Sequence, residues 1–137
     1  MNLSRTFPLA VLLAGCVPPM RLAPQPSAQS AFIGSWTGSG TQSDEPGEWT
    51  ISTTIAGGEV GAVVGSIAYP SLSCGGDLIL RDATTERMKL REHITYGSCL
   101  DQGIITLRVR PGGVLAYGWR SDDGSVTAQG QLERARR

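Results

Sequence analysis

The chain has 137 residues with 12 basic and 12 acidic side chains and a single histidine, so its formal net charge at pH 7 is zero. That balance leaves no strongly basic surface for nucleic acid. Eighteen glycines and eight prolines against two phenylalanines fit short strands and tight turns better than long helices.

In chain order, Arg5 precedes an apolar run from Phe7 to Ala14. A positive residue followed by a short apolar core is a targeting segment. It is too short to span a bilayer, which takes about 20 apolar residues. The run ends Leu13-Ala14-Gly15-Cys16. This resembles the lipobox of bacterial lipoproteins: a branched apolar residue, two small residues, then the cysteine that is acylated. The resemblance implies that residues 1–15 are a signal peptide and that Cys16 becomes the lipidated first residue. It also implies a membrane anchor of three acyl chains, palmitate among them, where a single chain would hold only marginally. Val17 stands where enterobacterial-type sorting reads Asp as an inner-membrane retention signal. The resemblance therefore implies the outer membrane, on its periplasmic side.

Residues 17–31 have no hydrophobic period and several prolines, so 16–31 reads as the lipidated cysteine and an extended, disordered linker. Residues 32–135 make one domain, all-β, with strands expected at 32–41, 48–56, 59–69, 74–81, 85–96, 103–110, 114–120 and 125–134. Every connection is short, which predicts an antiparallel up-and-down meander. Closing the meander removes its edges, so a small eight-stranded barrel is expected. Alternation assigns faces. Trp49, Ile51 and Ile55 share one face, as do Met88, Leu90, Ile94 and Tyr96. Ile105, Leu107 and Val109 form another inward set, then Leu115, Tyr117 and Trp119, then Val126, Ala128, Gly130 and Leu132, with Arg134 in phase. Gly61 and Gly65 leave the third strand ambiguous and mark a bend.

The first strand begins Gly34-Ser35-Trp36. A G-x-W on the first strand of an eight-stranded meander resembles the calycin superfamily, which includes lipocalins and avidins. That resemblance implies that Arg134 packs across Trp36, a cation–π contact worth on the order of 1 kcal/mol. Three Trp and three Tyr are available to fill so small a barrel. The wider pattern, Y-P-S-L-S-C at 69–74, L-R-E-H-I-T-Y-G-S-C at 90–99 and L-A-Y-G-W at 115–119, is similar to a small extracytoplasmic domain of bacterial lipoproteins and signalling proteins that has no assigned chemistry.

With Cys16 acylated, Cys74 and Cys99 remain, and an even pair in an exported domain reads as a disulfide. There is no C-x-x-C, and His93 is the only histidine, so neither a metal site nor a cofactor is expected. Nucleophilic catalysis needs a base beside a nucleophile; His93 lies on a polar face with no motif around it. Asp122-Asp123-Gly124 fits a hairpin turn, with Gly supplying positive φ. Glu92 falls on the inward face between Leu90 and Ile94. A buried carboxylate needs partners, and an Arg or loop backbone is expected to supply them. Arg87, Lys89, Arg91 and His93 face outward, with Arg108 and Arg110 expected beside them on the sixth strand. Such a strip suits an anionic envelope component or a protein partner; Asp77 and Asp82 are acids that would instead neutralise it. The expected function is thus a non-catalytic, lipid-anchored envelope lipoprotein whose barrel surface binds another macromolecule. An inhibitor of an envelope-acting hydrolase (lysozyme or protease) and a carrier of a small apolar ligand are the alternatives.

Overall fold

A computed structural model describes residues 14–16 and 28–136. The expectations for the signal peptide and for most of the linker lie outside the described residues. Cys16 is described and is an exposed free thiol.

Eight strands follow one another: β1 (Gly34–Gln42), β2 (Glu45–Ile55), β3 (Val63–Tyr69), β4 (Cys74–Ala83), β5 (Arg87–Tyr96), β6 (Ile104–Arg110), β7 (Val114–Arg120) and β8 (Thr127–Arg134). A single 3₁₀ turn, Pro70–Leu72, lies between β3 and β4. Each strand pairs antiparallel with its neighbours in sequence, and β1 pairs with β8, so the barrel is closed in the order β1 to β8. This is the expected eight-stranded up-and-down barrel. Two strands begin elsewhere than alternation indicates. β2 starts at Glu45 rather than 48, because Gln42 pairs with Glu45 across a register shift. β3 starts at Val63 rather than 59, because Gly57, Gly58 and Gly61 all take positive φ and turn the chain there.

The inward faces build one core. Ile51, Ile55, Leu78, Leu80, Met88, Leu90, Ile105, Leu107, Leu115 and Leu132 are all at most 2% exposed. Each such side chain stabilises the fold by roughly 1.5–3 kcal/mol relative to an exposed one. Two residues assigned inward are exposed instead. Tyr96 is half exposed. A bulge in β5 explains it: Gly76 pairs with Ile94 and Gly75 with Tyr96, so Thr95 is an extra residue and the alternation inverts beyond Ile94. Val109 is 38% exposed. It sits at the rim beyond the last core layer, where its N–H donates to the Glu86 carbonyl of the neighbouring turn.

The two ends of the barrel differ. One end is plugged. Phe32 is fully buried there, and its carbonyl accepts from Trp36 Nε1 at 2.9 Å. The Arg134 guanidinium lies 4.4 Å from the Trp36 ring centre, the cation–π contact that the calycin resemblance implied, and its Nη1 donates to the Ile33 carbonyl. Gln29, within the stretch read as linker, joins this plug by exchanging two hydrogen bonds with the Gly58 backbone. The other end is framed by the loops leaving β1, β3, β5 and β7. There the Cys74–Cys99 disulfide ties the start of β4 to the β5–β6 loop, as expected, with 5.9 Å between Cα atoms.

Candidate functional site

The unplugged end opens into a cavity of about 390 Å³. Its floor is assembled from four strands. Trp49 comes from β2, Tyr69 from the end of β3, Glu92 from β5, and Tyr117 and Trp119 from β7. Each lies on the inward phase of its strand, and in each strand it is close to the mouth. Leu72, Ser98, Cys99 and Leu100 stand around the opening with Gln42, Asp44 and Glu45. Leu72 and Leu100 are 43% and 53% exposed, an apolar rim on an otherwise polar loop cluster.

Glu92 is the centre of the floor. It is 1% exposed, deep enough that an ionised carboxylate needs full hydrogen bonding. Its expected partners were an Arg or loop backbone; the structure places two aromatic donors there instead. Tyr69 Oη donates to Glu92 Oε2 at 2.5 Å, and Trp119 Nε1 donates to Oε1 at 3.2 Å. Tyr69 and Tyr117 hydroxyls lie 2.7 Å apart and extend the network to a fourth group. The backbone of Glu92 is pinned on both sides: its N–H donates to the Gly103 carbonyl, and its own carbonyl accepts from Gln102. Gly103 has a specific role. A Cβ there would come within 2.1 Å of Trp119 Nε1, so only glycine lets the indole reach Glu92.

Burial pushes the Glu92 carboxyl up from 4.5 to about 7. The Tyr69 and Trp119 hydrogen bonds oppose that rise, and the nearby Asp101 charge adds to it. Tyr69 and Tyr117 are raised well above the usual phenol range, first by burial and then by the charges around them. Both phenols therefore stay neutral at physiological pH, while Glu92 is divided between its acid and its carboxylate. Trp49 closes the floor edge-on to Tyr69, at 5.3 Å and 89°, and to Tyr117, at 6.1 Å and 82°. Its Nε1 is buried and donates to nothing among the described residues.

The outward strip is also in place. Arg87 lies directly across from Arg108, and Lys89 across from Thr106. Three of its residues have acids beside them: Arg87 pairs with Asp82 at 3.0 Å, Arg91 approaches Asp122 at 3.8 Å, and His93 approaches Asp101 at 3.5 Å. Asp77 sits across from His93 in register, yet the contact is made by Asp101 from the loop. Lys89, Arg108 and Arg110 make no ion pair among the described residues. Asp122, Asp123 and Gly124 form the β7–β8 turn, where Asp123 accepts from Ser121 and Ser125 and Gly124 takes φ of 75°. Among the described residues, no group of three or more His, Cys, Asp or Glu side chains is arranged to hold a metal ion.

The fold and the site together define a small closed barrel, plugged at one end, with an acid-and-aromatic pocket at the other. No protein-family model matches the chain, and neither does any curated protein or solved structure.

Proposed function

We propose that this is a non-catalytic binding protein of the cell envelope, anchored by lipid on Cys16, that engages its partner at the open mouth of the barrel. The observation that carries this reading is the mouth itself. A cavity of about 390 Å³ is within the range of ligand sites, and here it carries both an exposed apolar rim and a buried polar floor. Surface apolar side chains gathered at a concave opening are the usual sign of a binding surface. The plug supports the same polarity. The described chain enters the barrel at the closed end, where Gln29 and Phe32 are tied down, which leaves the mouth at the pole away from that entry.

The strip on β5 and β6 is the second place for a partner. Arg108 and Arg110 favour it, as exposed cations without an ion pair among the described residues. The acids beside Arg87, Arg91 and His93 reduce its positive field and make the mouth the better site.

The test compares two double variants of the full chain, recovered from its own envelope with covalently crosslinked partners. Leu72→Asp with Leu100→Asp is expected to abolish the partner adduct, whereas charge reversal of Arg91 and Arg108 is expected to leave it. The opposite pattern transfers the function to the strip.

A further inference from the structure

The chemistry of the mouth narrows what enters it. Three carboxyl groups line the cavity, Glu92 on the floor and Asp44 and Glu45 at the rim, together with the rings of Trp49, Tyr69, Tyr117 and Trp119. Among the described residues, no Lys, Arg or His lines it. Elsewhere the described acids beside basic groups are neutralised in pairs, as with Asp82 and Arg87. Glu92 instead has only neutral donors, so whatever negative charge it carries is unbalanced inside the protein. Each of its oxygens accepts one hydrogen bond and retains capacity for another. Aromatic rings and carboxylates gathered without a cation match a ligand that brings the cation.

Resting on the reading of the mouth as the binding site, we infer that the cavity receives a cationic head, an alkylammonium or guanidinium on a short apolar stem. Its stem lies among the aromatic rings and its charge is held by Glu92 and the rim acids. The same head is carried by a free amine or by a Lys or Arg side chain of a partner protein. Binding is coupled to pH. The groups facing Glu92 are Tyr69 from β3, Tyr117 and Trp119 from β7, and Asp101 from the β5–β6 loop. Both phenols are raised and stay neutral. Asp101 is held low, chiefly by the Ile94 N–H, and stays ionised. Among these groups Glu92 alone changes charge between pH 6 and 8, so affinity for a cation rises across that range.

The test titrates the full chain in detergent with n-butylammonium, n-butylguanidinium, butyramide and butyrate, at pH 6 and pH 8, read by tryptophan fluorescence and amide NMR shifts. Two of the three tryptophans line the mouth, while Trp36 is buried in the plug. Saturable binding of the two cations at pH 8 is expected, roughly tenfold weaker at pH 6, with shifts at Trp49 and Trp119. Butyramide and butyrate are expected to bind at least about tenfold more weakly. Glu92→Gln is expected to remove the pH dependence. Asp44→Asn with Glu45→Gln changes only exposed side chains and is expected to weaken cation binding about twofold, more at low salt. Equal binding of cation, amide and anion, or no saturation by either cation at pH 8, overturns the inference. Native mass spectrometry of protein taken from its own envelope separates the sources: a retained low-mass amine marks a free ligand, and a protein adduct that butylammonium prevents when added before crosslinking marks a side chain. A mouth that crosslinks to a partner yet ignores both cations leaves the mouth reading standing and removes the cationic ligand.

Discussion

Replacing Glu92 by Gln tests the buried network through stability rather than binding. The folded protein holds the Glu92 proton to about pH 7, whereas the unfolded chain releases it near 4.5. Below pH 4.5 the group is protonated in both states and its contribution to stability is complete. Between 4.5 and 7 the unfolded chain gives up its proton while the folded one keeps it, so stability falls as pH rises. Above 7 both states are ionised and the loss is complete. At roughly 1.4 kcal/mol per pH unit, the loss is about 3 kcal/mol. Glutamine stays neutral throughout. Its oxygen can take the place of Oε1 and accept from Trp119 Nε1, but its NH2 then stands where Oε2 accepted from Tyr69 Oη, at a cost of about 1 kcal/mol. The variant is thus expected to be about 1 kcal/mol less stable than the parent near pH 4.5 and about 2 kcal/mol more stable at pH 8, with the two curves crossing in between. Urea unfolding of the oxidised protein at half-unit steps from pH 4.5 to 8 measures both curves. The carboxyls of Asp101 and Asp123 do not interfere. Backbone hydrogen bonds, from Ile94 and Ser125 respectively, hold them below the usual range, and their contributions are lost only as pH falls below 4. A parent whose stability is flat over this range, or a variant that keeps the full slope, refutes the assignment of the slope to Glu92.

Reducing the Cys74–Cys99 bridge, or replacing both residues by Ser, is expected to cost about 3 kcal/mol for a loop of 25 residues, read as a shift in the urea midpoint. Thiol labelling of the unreduced protein is expected to leave both cysteines unmodified. Arg134→Met removes the cation over Trp36 and the hydrogen bond to Ile33, and is expected to lower stability by about 1–2 kcal/mol at every pH without touching the mouth. Gly103→Ala drives a methyl group into Trp119 Nε1; the expected result is loss of the Trp119–Glu92 hydrogen bond, seen as a shifted indole N–H resonance. Cys16→Ser is expected to abolish incorporation of labelled palmitate and to release the protein from the membrane fraction. A membrane-bound serine variant contradicts the lipid anchor.

Much of the fold was legible because each signal is local. Turn residues at short spacing set the strand count, alternation placed Glu92 and Trp119 inward, and the resemblance to calycins, with Arg134 in phase, put Arg134 over Trp36. Failures came where register slips. The bulge at Thr95 turns Tyr96 out of the barrel, and nothing in I-T-Y-G-S-C reads as a bulge before the paired glycines of β4 are known to lie opposite. The partners of Glu92 were missed for a related reason. Glu92, Tyr69 and Trp119 belong to three strands, 23 and 27 residues from Glu92 along the chain, and no period within one strand reports contacts across a barrel. One signal was available. The expected aromatic filling of the barrel places polar-tipped rings against the single inward acid, which identifies the donors to it. The same filling was expected to occupy the whole interior. Five of the six large aromatic Trp and Tyr rings do point inward, yet four of them form the floor of the mouth and leave a cavity there, while Phe32, from outside the strands, closes the other end with Trp36.

The central claim is that the mouth, and not the basic strip, meets the partner. The most direct measurement places a photo-crosslinking residue singly at Leu100 and at Arg108 in the full, membrane-anchored chain, irradiated in its own envelope. A discrete adduct at Leu100, absent at Arg108 and lost when Leu72 is replaced by Asp, is the expected result. An adduct at Arg108 with none at Leu100 contradicts the claim.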